Sequence, residues 1–179
     1  VDELKGIIHP PLNIGSSPDG ITVVSSSRDQ LDILLGQSHV QVRDNSGQEP
    51  GKKPVSKVIY DVLVPLGVTY RAFGLNYGLA FKAKSDLSPA TLIRDKFLNV
   101  GFLEPKLDSP LEGASVRLYY PKGAKICNLL LEAYEGPKSD RFHIDLNVHE
   151  DTTSLPPQDA LAESFKKEHD DLLKFLTSL

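Results

Sequence analysis

Tryptophan and methionine are absent from this 179-residue sequence, and there is a single cysteine. One cysteine cannot close an internal disulfide, so a cysteine-stapled scaffold is excluded. The missing methionine extends to position 1, which fits a trimmed or incomplete chain. No apolar run approaches the roughly 18 residues that a membrane-spanning helix needs. The opening VDELKG has neither the basic flank nor the apolar segment of an export signal. With no disulfide to form, these features give an expected cytoplasmic location and no membrane partner.

Basic runs are also scarce. The longest are Lys52-Lys53 and Lys166-Lys167, and acidic residues follow the second pair at Glu168, Asp170 and Asp171. The formal net charge is −4, and the imbalance is local: from Glu150 onward there are seven acidic residues against three basic, while residues 1–149 carry seventeen of each. A nucleic-acid surface shows a basic stripe, so nucleic acid is not expected as a partner. What is present suits an ordinary folded chain. Hydrophobic residues make up 40% and charged residues 25%, which excludes disorder across the whole chain.

Residues 1–20 are rich in turn formers and read as an extended N-terminal arm, tied down through Ile7, Ile8, Leu12 and Ile14. Residues 21–179 read as a single α+β domain. Residues 21–24, 30–35 and 39–43 predict three short strands, and a polar loop follows at 44–54. Pro54 opens a helix whose apolar stripe is Val55, Val58, Ile59, Val62, Leu63 and Leu66, ended by Pro65 and Gly67. Residues 68–84 predict a long strand. Phe73, Leu75, Tyr77, Leu79 and Phe81 line one face, and Ala72, Gly74, Asn76, Gly78 and Ala80 the other. The small-residue face suggests close approach of a helix or a partner backbone.

Ser88-Pro89 caps a helix carrying Leu92, Ile93, Phe97 and Leu98, and 101–113 reads as a turn-rich link. Strands follow at 115–120, 125–135 and 141–149. The middle one is continuously apolar at Leu129-Leu130-Leu131 and so central. A final helix after Pro156-Pro157 carries Leu161, Phe165, Leu172, Leu173 and Leu176, with His169 on its seam. The short turns favour hairpins, giving a mostly antiparallel curved sheet with helices packed on one face.

Chemistry is sparse. There is no P-loop, no nucleophile elbow and no metal-binding helix motif. Cys127 lies in an apolar stretch and reads as a buried small hydrophobe. No catalytic residue, metal ligand or cofactor is assigned. The best polar cluster is His143, Asp145, Asn147 and His149, which period two places on one sheet face. A solvated or partner-covered face is its simpler reading. A small enzyme built on Asp145, His143 and His149 is the alternative, although the two histidines stand about 20 Å apart along a straight strand. Asn76 and Tyr77 could bond across the sheet, and Tyr70, Tyr77, Tyr119, Tyr120 and Tyr134 offer rigid area with a polar tip for an interface or groove, core packing being the simpler use for most of them.

The segments ITVVSSSRDQLDILLGQSHVQVRDNSG, YRAFGLNYGLAF and RFHIDLNVHED together resemble an uncharacterised microbial protein family that has been compared with the SecB-like export chaperones. The resemblance covers about residues 20–179. It implies a strongly curved antiparallel sheet, helices on one face and associating subunits. Gly74, Asn76 and Tyr77 match its recurring element in the long strand, and Asp145 and Asn147 the one in the late strand. With no catalytic constellation, and a long strand that has one apolar face and one small-residue face, the expected function is a non-catalytic binding or structural protein acting as a homo-oligomer. Its sharper form is SecB-like binding of another protein or polypeptide. The candidate binding residues are Asn76, Tyr77, Tyr119, His143, Asp145, Asn147 and His149.

Overall fold

The computed structural model describes residues 6–67, 69, 71–82 and 84–178. Twelve elements follow one another: β1 Leu12–Ser16, β2 Thr22–Ser26, β3 Leu31–Leu35, β4 Val40–Asp44, α1 Val55–Leu66, β5 Ala72–Lys82, α2 Pro89–Phe97, α3 Val100–Leu107, β6 Val116–Lys122, β7 Lys125–Ala133, β8 Arg141–Asp151 and α4 Gln158–Thr177. The class is α+β. The expected single curved sheet is corrected: there are two open four-stranded antiparallel sheets, neither curled nor closed. Their orders are β1-β2-β3-β4 and β5-β8-β7-β6. Alternation along a strand shows which side chains share a face, but not which strand lies beside it. Two sheets and one therefore look alike in the sequence.

The chain divides into two compact units, the first of residues 1–69 and 154–172, the second of residues 70–153 and 173–179. In the first, Ile8 is buried with Val24, Leu31, Ile33, Val58 and Val62. β1 pairs with β2, and β2 to β4 follow as a meander with tight turns. α1 packs against β4. Its Val58, Val62 and Leu63 are buried, as its stripe requires. Gly67 takes a left-handed conformation (φ 56°) and its amide bonds to the Val64 carbonyl. Pro65 sits inside the last turn without stopping the helix before Leu66.

In the second unit the pairing is β5 with β8, β8 with β7 and β7 with β6. The β7–β8 hairpin was expected, and β7 and β8 are the central strands. One face is buried through Leu75, Tyr77, Cys127, Leu129, Leu131, Phe142, Ile144, Leu146 and Val148. α2 packs against β7, capped by Ser88, whose hydroxyl accepts from the Thr91 amide. The link expected at 101–113 contains the short helix α3 instead, with no buried residue. Val68 and Tyr70, read as the start of the long strand, lie outside the described residues, as does Ala83 near its end; β5 itself runs from Ala72 to Lys82.

Candidate functional site

The second sheet turns its other face outward. Register fixes its rows. Gly74, His149, Ile126 and Pro121 form one row; Asn76, Asn147, Asn128 and Tyr119 the next; Gly78, Asp145, Leu130 and Arg117 the third; Ala80, His143 and Glu132 the fourth. Six of the seven candidate residues therefore share this face: Asn76, Tyr119, His143, Asp145, Asn147 and His149. Tyr77 does not. Its odd position places it on the opposite, buried face at 4% exposure.

Carboxamides run across the middle row. Asn147 Nδ2 donates to Asn76 Oδ1 at 2.5 Å, and Arg117 Nη1 donates to Asn128 Oδ1 at 3.4 Å. Tyr119 ends the row with 68% of its surface exposed, and Ile126 in the neighbouring row is 56% exposed. The histidines do not converge. His143 Nδ1 lies 2.9 Å from Glu132 Oε1, and His149 Nε2 lies 3.0 Å from Asp151 Oδ1. Each ring thus has its own carboxylate, about 20 Å from the other ring along β8. Asp145 stands between them, and its cross-strand neighbours Gly78 and Leu130 carry no charge. Among the described residues, no group of three or more His, Cys, Asp and Glu is placed to hold a metal ion.

Charge on this face cancels: Lys82, Arg117 and Arg141 stand against Glu132, Asp145 and Asp151. Beside it, at the end of β5, an open cleft of about 180 Å³ is lined by Lys82, Lys138, Asp86 and Asp140 among others. Lys82 Nζ lies 3.0 Å from Asp140 Oδ2, and that hydrogen bond holds the Asp140 carboxyl below its usual range. Lys82 belongs to both surfaces, so the cleft itself adds Lys138 against Asp86 and Asp140.

Sequence reasoning missed Asn128, Arg117, Ile126 and Glu132. Alternation does place Asn128 and Glu132 on one face of β7. The Leu129-Leu130-Leu131 run masked that signal, because a strand read as buried on both sides gives no reason to look for a wet one.

The two edges of this sheet differ. The Thr152 amide donates to the Arg71 carbonyl at 3.0 Å, and the Tyr134 amide to the Arg141 carbonyl at 2.8 Å. In an antiparallel ladder these two bonds fix which residues face the neighbouring strand and which face away. On β5 the outward backbone groups belong to Ala72, Gly74, Asn76, Gly78, Ala80 and Lys82. On β6 they belong to Arg117, Tyr119 and Pro121. The β6 edge thus carries a charge at Arg117 and a residue with no N–H at Pro121, two usual protections of an exposed edge. Up to Lys82, the β5 edge carries none of these.

Compared with known proteins, the chain matches no family model, and no curated protein or solved structure is significantly similar to it.

Proposed function

We propose that this chain is a non-catalytic binding protein that works as a homo-oligomer, joined along β5 of its second unit. The observation that carries the reading is the unprotected edge. β5 is eleven residues long, uncharged from Ala72 to Phe81, and small at four of its outward positions. A long, bare edge is a template for another strand, and two identical antiparallel edges close as a twofold pair. The first sheet offers no comparable edge, because its outer strands β1 and β4 have only five residues each.

The SecB-like form of the proposal uses the same edge. An extended polypeptide adds to it by main-chain hydrogen bonds in place of a second copy. The enzyme alternative would draw on Asp145, His143 and His149, and the separate pairing of each histidine gives it no shared reaction centre.

Amide hydrogen exchange tests the reading at the bonds themselves. The Gly74, Asn76 and Gly78 amides should be protected at high protein concentration and lose protection on dilution. Fast exchange of all three at every concentration, beside slow exchange at Leu75 and Tyr77, would refute pairing along β5.

A further inference from the structure

We propose that the open face of the second sheet is a binding site for a neutral oligosaccharide laid across its strands. The middle row supplies what a hydroxyl-rich ligand needs. Each carboxamide carries both donors and an acceptor. The two bonds within the row use Asn147 Nδ2, Asn76 Oδ1 and Asn128 Oδ1. That leaves Asn76 Nδ2, Asn147 Oδ1, Asn128 Nδ2 and the Tyr119 hydroxyl to meet a ligand, in a mixed donor and acceptor line. Sugar hydroxyls donate and accept in the same way.

The Tyr119 ring gives the second element. It is the most exposed aromatic ring on the face, and it can stack against the C–H face of a pyranose while its hydroxyl stays wet. Shape agrees. Neighbouring strands lie about 4.8 Å apart, close to the length of one sugar unit, so the row from Tyr119 to Asn76 matches a short run of linked rings. In the next row, Gly78 has no side chain and the space above it is open.

Charge selects among ligands. Basic and acidic groups are interspersed on the face, with Lys82 paired to Asp140 and Glu132 and Asp151 each beside a histidine, so neither a polyanion such as nucleic acid nor a strongly basic peptide meets a surface of one sign. A neutral polyol needs no such surface. This site is separate from the β5 backbone edge, and neither proposal depends on the other.

The test is saturation-transfer NMR of the full chain with cellohexaose, xylohexaose, mannohexaose, maltohexaose, laminarihexaose and chitohexaose. Each is supplied up to about 10 mM, where even a millimolar Kd fills most sites. At least one hexasaccharide should bind. Tyr119→Ala should weaken it about tenfold, the value of one ring stack. Tyr119→Phe should retain most of the affinity, and Asn128→Ala should weaken binding while the thermal midpoint stays put. The proposal is overturned if none of the six binds. It is overturned equally if binding survives both alanine variants, or if those variants change the particle mass, which would make the face an interface between copies.

Discussion

Ile144 has no exposed surface. It lies on a central strand, with Leu79 across from it on one side and Leu131 on the other. An aspartate there would bury a charge with no partner, so Ile144→Asp should cost more than about 4 kcal/mol. Denaturant unfolding would measure that loss, and a change under about 1 kcal/mol would mean the strand is not packed as described. Cys127 is likewise fully buried. Its thiol should react slowly with an alkylating reagent in the native protein and quickly once unfolded. Asp29 gives a pH dependence. Burial acts to raise its pKa, but the His9 amide at 2.6 Å, the His9 ring and the Ser26 hydroxyl outweigh it and hold the carboxyl below 3.8. A depressed carboxylate stabilises the fold above its unfolded pKa, and that contribution is lost as pH falls through the folded value. Thermal midpoints should therefore drop below about pH 4, and by less in Asp29→Asn. At this scale the sequence was most readable where alternation is clean. Alternation puts His143, Asp145, Asn147 and His149 on one face, and Tyr77 on the face opposite Asn76, as the register shows.

Among the elements, α1 was legible because Pro54, the apolar stripe and Gly67 all mark the same helix. Gly67→Ala should cost about 1 kcal/mol, since alanine tolerates the left-handed conformation poorly. A thermal midpoint that stays level or rises would show that the cap relaxes. α3 was not legible for a physical reason. It contains Gly101 and Pro105, buries no side chain and leaves Phe102 and Leu107 exposed, so no apolar stripe marks it. The partner of β5 was hidden too. β5 pairs with β8 across the 58 residues of chain between Lys82 and Arg141, and nothing local in either strand names the other. The edge contrast came only with that pairing, because outward backbone groups are defined by the neighbour a strand already has.

For the whole molecule, the proposed association along β5 sets the assembly. It predicts a particle of twice 19.7 kDa or a larger even multiple. Gly78→Pro supplies the matching variant. Its ring removes an N–H that faces away from β8, so the monomer's own ladder is kept while the outer one is interrupted. The decisive measurement is light scattering coupled to size exclusion, run on both proteins across a range of concentrations. Pairing along β5 gives an even multiple for the wild-type chain at high loading and 19.7 kDa for Gly78→Pro. A wild-type mass that stays at 19.7 kDa throughout, or a Gly78→Pro chain that assembles just as the wild type does, would contradict it.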